Sequence, residues 1–474
     1  MHELYLTLVI LNDIVVILAI IHVLMDNRLP AKTMAWALVI YFVPVAGIVL
    51  YVFFGVNTRR DRLVSERSMN EITRRSMLGF VGQQDLRLPE NHKQTIDLFV
   101  NQSMALPFKD NTVDIYTDGY GFFPALLAAI RNATSHIHID IYIFADDALG
   151  RLVSDSLIDK ARQGVEVRVI YDDVGCWNVS RHFFERMREE GIEVCPFLPV
   201  RFPSFTSKVN YRNHRKIIVV DGKVGFIGGM NIAQRYVKGV EGRPWRDTMT
   251  KITGSAVYSL QREFLVDWYF VDRTRLSDRK YYPPVVSSDY DDCLIQIVTG
   301  GPVTPFPEIM QGYMRVILAA RRYIYIETPY FIPTEPVLFA LKTAALGGID
   351  VRIIVPERSD ARFVEWAGRS YLRDMTASGV KVYLYESGFL HSKILVCDDS
   401  LATCGSTNVD SRSFENNFES NAFFYDETVA RRFRRIFLED LGRSVPLSEK
   451  PGRMNPGFFP RLWESLTRLL SPLL

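Results

Sequence analysis

The feature that most restricts how this chain can fold is a pattern of residues that occurs twice. The stretch Asn213-His-Arg-Lys-Ile-Ile-Val-Val-Asp-Gly-Lys-Val-Gly-Phe-Ile-Gly-Gly-Met-Asn231 carries His214, Lys216, Asp221, Gly228, Gly229 and Asn231. It returns as His391-Ser-Lys393-Ile-Leu-Val-Cys-Asp398, followed by Gly405-Ser406-Thr-Asn408. The spacings from His to Lys, Lys to Asp and Asp to the first Gly are the same in both copies, and each copy ends on Asn three residues after that Gly. One His-x-Lys arises easily by chance and reads as a solvated pair. Recurrence of the whole pattern reads as two copies of one unit that build one composite site.

Around the first copy, Ile217 to Val220 and Val224 to Ile227 are mostly β-branched or aromatic, with the tight-turn pair Asp221-Gly222 between them, so a buried hairpin is expected. Alternate residues of a strand share a face, which points His214 and Lys216 the same way and lets Asn231 return to their end after the loop glycines. Upstream, strands are expected at Val113 to Tyr116, His136 to Phe144 and Val165 to Tyr171, and helices at Phe122 to Asn132, Leu149 to Gln163 and His182 to Glu190. The second copy has a similar prelude. Helices Glu308 to Ala320, Pro336 to Leu346 and Arg362 to Ser378 alternate with strands Tyr323 to Ile326, Asp350 to Val355 and Lys381 to Tyr385. This is a duplicated α/β unit.

With its flanking sequences Trp245-Arg-Asp247-Thr, Thr328-Pro-Tyr-Phe-Ile-Pro333 and Gly-Ser-Thr-Asn408-Val-Asp-Ser-Arg-Ser-Phe414, the doubled motif resembles the phospholipase D superfamily, and within it the bacterial cardiolipin synthases. The resemblance covers nearly the whole chain. It implies an α/β fold of two phospholipase D-like units, residues 111–285 and 286–455, packed about a pseudo-twofold axis that brings His214 and His391 together. It implies no cofactor and no metal.

At the amino terminus, Leu4 to Met25 and Met34 to Val56 are apolar runs long enough to cross a hydrocarbon core about 30 Å thick. A cleaved signal peptide fits the first run poorly, because there is no basic leader and a second apolar span follows. Residues 1–57 are therefore expected to form a two-helix transmembrane hairpin. Arg59, Arg60 and Arg62 against Arg28 and Lys32 place the large remainder inside the cell, at the bacterial inner membrane. Asp13 is costly in lipid and is expected to face the second helix or a partner protomer, which leaves a homo-oligomer open. Residues 58–110 form a basic linker with Arg67, Arg74 and Arg75, suited equally to anionic headgroups or to solvent. Residues 456–474 are amphipathic, suited to a lipid interface or to docking on the catalytic body. A net charge of +2 gives no reason to expect nucleic acid. Five cysteines without a CxxC spacing favour reduced thiols; Cys397 and Cys404, on the second hairpin, are expected to pack.

Displacement at a phosphodiester needs a nucleophile, a proton donor and positive charge against the phosphoryl oxygens. Two histidines in opposite protonation states would supply the first two, and Lys216 and Lys393 the third. The motif residues His214, Lys216, Asp221, His391, Lys393 and Asp398 form the catalytic set; within it Asp221 and Asp398 sit at hairpin turns and are expected to bond the turns and the two halves together rather than move protons. Asn231, Asn408, Ser406 and Gly229 are expected at the substrate phosphate. The resemblance implies a carboxylate after each motif that orients an imidazole, Glu419 in the second half and Asp247 in the first, and a phosphatidyl-histidine intermediate on His214 with His391 as general acid. The substrate it implies is phosphatidylglycerol in an anionic phospholipid membrane, giving cardiolipin and glycerol; hydrolysis to phosphatidic acid is the alternative. His136 and His138 share a strand face but lack a third local ligand, so packing is expected. Capping and salt bridging are expected of Asp172 and Asp173, and Glu327 is a candidate to line the pocket.

Overall fold

In a computed structural model, residues 2–26, 30–55, 88–200, 210–285, 291–469 and 471 are described. The basic linker residues Arg59, Arg60, Arg62, Arg67, Arg74 and Arg75, and Arg28 with them, lie outside the described residues. The chain divides into two compact units, Met1–Arg62 with Val200–Tyr211 and Leu63–Pro199 with Arg212–Leu474.

In the smaller unit, helix His2–Met25 contains one segment long and apolar enough to span a membrane, Tyr5–Met25, whose side chains are mostly exposed. The second apolar run does not form one helix. Helix Pro30–Phe42 stops, helix Pro44–Leu50 starts anew, and a π turn, Tyr51–Gly55, follows. Pro44 has no N–H to continue the ladder. Gly47 then lies so close to the preceding turn that a Cβ there would be 2.7 Å from the Val39 carbonyl oxygen. Val16, Val23, Ile40 and Tyr51 form a small core. Asp13 is exposed, and its carboxylate receives a hydrogen bond from neighbouring Asn12 at 3.5 Å.

The larger unit holds the duplication. Its first sheet contains β1 (Asn111–Tyr116), β2 (His136–Ile141), β3 (Glu166–Asp172), β4 (Glu193–Phe197), β5 (Lys216–Val220), β6 (Val224–Gly228) and β7 (Met249–Gly254). Their order is β1-β7-β6-β5-β2-β3-β4. The second contains β8 (Ile295–Gly300), β9 (Tyr323–Glu327), β10 (Asp350–Pro356), β11 (Lys381–Tyr385), β12 (Ile394–Cys397), β13 (Leu401–Gly405) and β14 (Glu419–Phe424), in the order β8-β14-β13-β12-β9-β10-β11, with Pro107–Phe108 and Ser444–Pro446 added at the edges. The two orders are the same when β8 is matched to β1.

Central strands such as β2 are buried at every residue, because helices and the opposite sheet cover both faces. The chain re-enters helices through aspartate caps: Asp118 accepts from Gly121 N and Asp147 from Gly150 N, each at 2.9 Å. Helix Val257–Asp272 packs on strands of both sheets and is buried along most of its length, polar residues included. Strand β6 meets β13 and β14, so the two motif hairpins lie against each other.

At the carboxyl terminus, helix Phe458–Leu469 docks on helix Arg362–Ala377. Buried Glu464 pairs with Arg373 at 2.6 Å and Arg369 at 3.7 Å. Docking on the body is therefore what the described tail does, while Phe458, Phe459, Leu462, Leu466 and Leu469 stay exposed on its outer face.

Candidate active site

Both motif hairpins turn with left-handed residues, Asp221 (φ 53°) with Gly222 (φ 64°), and Asp398 (φ 55°) with Asp399 (φ 59°), the backbone of a tight hairpin. The carboxylates of Asp221 and Asp398 do not join the halves. Asp221 accepts the N–H groups of Thr134, Ser135 and His136 at 2.8–2.9 Å. Asp398 accepts those of Arg321, Arg322 and Tyr323 at 2.7–2.9 Å. Each thus fastens its hairpin to the start of the neighbouring strand within its own half, at the far end of the hairpin from the histidine. The inter-half bonds expected of them are thus replaced by bonds within each half.

At the other end the halves interlock through the main chain. His214 N donates to Phe418 O at 2.9 Å, and Phe418 N to Arg212 O at 2.9 Å. Phe389–Leu390 pairs in parallel with Trp245–Arg246, and His391 N donates to Arg246 O at 2.7 Å. Each histidine is thereby held beside the carboxylate of the opposite half. His214 Nδ1 lies 3.0 Å from Glu419 Oε1, and His391 Nδ1 lies 2.7 Å from Asp247 Oδ2. The family resemblance implied the two carboxylates and did not reveal this exchange.

Lys216 and Lys393 are fully buried behind the imidazoles, and their Nζ atoms donate to the carbonyls of His214, at 2.5 Å, and His391. Burial pushes Lys216 down to about 7 and lowers Lys393 as well, although Glu419 and Asp247 oppose the shift. Burial and then Lys393 push His391 down to about 4; burial lowers His214 against the pull of Glu419. Burial raises both carboxylates, but Lys393 and His391 hold Asp247, and His214 and Lys216 hold Glu419, below the ordinary range. Burial thus disfavours the charged form of both imidazoles, while the charges around them favour the ionised form of both carboxylates.

His214 and His391 line one cavity of about 410 Å³, together with Asn231, Asn408, Tyr142, Tyr330 and Trp245. Asn231 Oδ1 accepts from Ile143 N at 3.0 Å and its amide donates to Tyr236 Oη; the Asn408 oxygen is buried without a partner. Ser406 and Gly229, expected at a phosphate, are engaged elsewhere. Ser406 Oγ donates to Glu419 Oε2 at 2.5 Å, and its N–H goes to Ser420 O. Gly229 N donates to Thr248 O, and a Cβ on Gly229 would sit 2.1 Å from Asp247 Oδ1, so glycine makes room for the carboxylate.

Behind the cavity, each sheet buries an acid in register with the residue after the motif lysine: Asp140 opposite Ile217 and Glu327 opposite Ile394. Asp140 accepts from Asn213 Nδ2 at 2.6 Å. Glu327 lies 3.6 Å from Arg246, and burial, with Asp440 adding to it, pushes it up to about 8. It does not line the cavity, which corrects its candidacy. Asp172 caps Val174 and Gly175 and also accepts the Asn213 N–H at 2.9 Å, fixing the chain one residue before His214. His136 and His138 are bridged by Gln261, and His138 stacks on Phe264 at 4.3 Å, a packing role. Residue reasoning missed Arg235 and Arg412, which also line the cavity; the signal was present, since each follows its motif asparagine by four residues.

Two sheets of identical strand order, each delivering a His-x-Lys hairpin to one cavity, define the class: a two-unit phospholipase D-like α/β protein. A family model described as "Cardiolipin synthase, PLD-like domain" matches residues 126–268 and again 313–441, and one described as "Phospholipase D-nuclease N-terminal" matches 14–55. The major cardiolipin synthase ClsA of Bacillus subtilis (strain 168) is 38% identical over 97% of both chains, and a cardiolipin synthase of Geobacillus sp. (strain WCH70) is 39% identical over 95% of this chain and 90% of that one. The chain belongs to the cardiolipin synthase family. In fold it is similar to the crystal structure of phosphatidylserine synthase from Haemophilus influenzae Rd KW20, with a TM-score of 0.59 at 14% identity, over 81% of this chain and 98% of that one.

Proposed function

We propose that the chain transfers the phosphatidyl group of one phosphatidylglycerol to a hydroxyl of a second, releasing glycerol and forming cardiolipin. The observation that carries this is the pair of imidazoles on one cavity, each backed by a buried carboxylate of the opposite half. His214 Nε2 attacks phosphorus while Glu419 holds its Nδ1 proton and stabilises the charge that develops. The bond from phosphorus to the glycerol oxygen breaks, and His391 gives that oxygen its proton. A diester anion in the cavity raises the pKa of His391, so substrate binding itself charges the acid. Then the primary hydroxyl of the second lipid gives its proton to His391 and attacks phosphorus, the phosphorus–nitrogen bond breaks, and His214 is regenerated. Lys216, Lys393, Asn231 and Asn408 offset charge on the phosphoryl oxygens.

The larger units, 111–285 and 286–455, are read as halves about a pseudo-twofold axis, which their identical strand order supports. Residues 1–57 are read as a two-helix membrane hairpin whose second member is broken at Pro44. Of the basic linker read over 58–110, helix Lys93–Ser103 buries Ile96 and Phe99 in the core of the larger unit and Pro107–Phe108 joins its second sheet, so the linker role is kept for the residues before them, and 456–474 serve as a docked tail. That makes a multi-pass protein of the bacterial inner membrane with its catalytic part in the cytoplasm. The apolar outer face of the tail suits the bilayer that supplies the substrate, and exposed Asp13 within an apolar helix suits contact with a second copy of the chain. A net charge of +2 gives no electrostatic footprint for nucleic acid.

Full-length protein in vesicles containing labelled phosphatidylglycerol is the test. Equal amounts of cardiolipin and glycerol are expected; phosphatidic acid as the main lipid product would make the chain a hydrolase.

A further inference from the structure

Three arginines, Arg212, Arg235 and Arg412, line the cavity together with two carboxylates, Asp360 and Asp410. Arg235 and Arg412 stand at matching places, four residues after Asn231 and Asn408, and both line the cavity. Elsewhere the fold pairs its buried arginines: Arg215 with Asp267 at 2.5 Å and Glu263 at 2.7 Å, Arg246 with Asp440 at 2.7 Å. The third cavity arginine, Arg212, has Asp172 at 3.5 Å. Among the described residues, neither Arg235 nor Arg412 has a carboxylate partner or donates a hydrogen bond. A guanidinium facing a cavity without a protein counter-ion is placed for an anionic ligand.

The two arginines flank different histidines. Arg235 lies over the Trp245 ring at 5.1 Å, and that ring is 5.6 Å from the His391 ring. Arg235 Nε and Trp245 Nε1 are both buried donors without an acceptor, side by side on the same wall. On the opposite side, Arg412 acts electrostatically on Tyr142, whose ring is 5.0 Å from His214. The accepting hydroxyl must reach His391, its base. In phosphatidylglycerol that hydroxyl is one glycerol away from the lipid's own phosphate, so a second anion has to sit on the His391 side while the first is under attack. Two phosphates in one cavity repel unless a cation stands by each.

We propose that Arg235 and the Trp245 indole N–H bind the uncleaved phosphate of the accepting phospholipid and thereby favour a lipid hydroxyl over water. This rests on the transferase reading, and it assigns the two phosphates to different cations: Lys216 and Lys393 to the phosphate that reacts, Arg235 to the one that does not.

The test uses the full chain in vesicles of phosphatidylcholine and phosphatidylglycerol, with glycerol, cardiolipin and phosphatidic acid counted separately. Arg235→Gln keeps the stem over Trp245 and removes the charge. Cardiolipin should fall about tenfold or more, glycerol release far less, and phosphatidic acid should rise as water takes the vacated place. Arg235→Lys should restore part of the cardiolipin, which a purely structural role would not predict. Arg412→Gln should lower glycerol and cardiolipin together. The proposal is overturned if Arg235→Gln lowers glycerol and cardiolipin by one common factor, or if Arg412→Gln is the variant that separates them. Phosphatidic acid as the main product of the unaltered protein would instead defeat the transferase reading, a distinct result.

Discussion

Each motif histidine takes its orienting carboxylate from the opposite half, so a substitution in one half disables the imidazole of the other. Asp247→Asn keeps a hydrogen-bonding group beside His391 but cannot stabilise an imidazolium, and Glu419→Gln does the same beside His214. Each should lower kcat about 100-fold or more in the vesicle assay with little change in KM; a loss within about threefold would remove that carboxylate from the mechanism. The pH profile follows from the buried charges. In the proposed mechanism His214 attacks as the neutral imidazole, and its lowered pKa keeps it neutral below the ordinary 6.5, so the acid limb of kcat/KM should fall under that value. Lys216 carries charge only below its pKa, and burial has brought that to about 7, so kcat/KM should decline as pH rises through that point. Lys216→Arg, which stays protonated, should move the alkaline limb upward; an unmoved limb would assign it to another group. At this scale the doubled motif was legible because its residue types and spacings are unusual together. The engagement of Ser406 by Glu419 and of Gly229 by Asp247 was not, because both partners come from later in the chain.

The strands and helices that alternate before each hairpin were legible from periodicity, and their bounds agree within a few residues. Other elements were not read, helices Lys93–Ser103 and Glu427–Leu441 among them. Helix Val257–Asp272 buries Gln261, Glu263 and Asp267 on a surface that composition alone marks as solvent-facing. Strands β8 and β14 needed their sheet partners to be recognised. The second apolar run was long enough for one membrane helix, yet Pro44 divides it, because proline removes the N–H that helix Pro30–Phe42 would need to continue. The hairpins carry their own prediction. Asp221→Ala removes three main-chain hydrogen bonds and one from the Thr134 hydroxyl. It should cost about 2–4 kcal/mol in thermal unfolding of the solubilised protein, while turnover in the folded fraction stays within about twofold. A turnover loss as deep as that of Lys216→Ala would return Asp221 to the chemistry.

At the scale of the whole molecule, duplication explains why the site is composite. Neither half holds a complete set: each supplies a histidine, a lysine and an asparagine, and a carboxylate that serves the other half. Parallel pairing of Phe389–Leu390 with Trp245–Arg246, and the bonds between His214 and Phe418, make that exchange a property of the backbone. The near-equivalence of the halves is broken by what stands beside each imidazole, Trp245 and Phe389 at His391 and Tyr142 at His214. In the proposed mechanism His214 attacks phosphorus, and the most direct measurement is to trap the intermediate. Full-length protein is mixed with phosphatidylglycerol labelled at phosphorus, stopped within one turnover under alkaline denaturing conditions that preserve phosphohistidine, and digested. The label is expected on the peptide carrying His214, and is expected to be lost in His214→Ala. Label on the His391 peptide, or turnover with no phosphorus bound to either peptide, would contradict that mechanism.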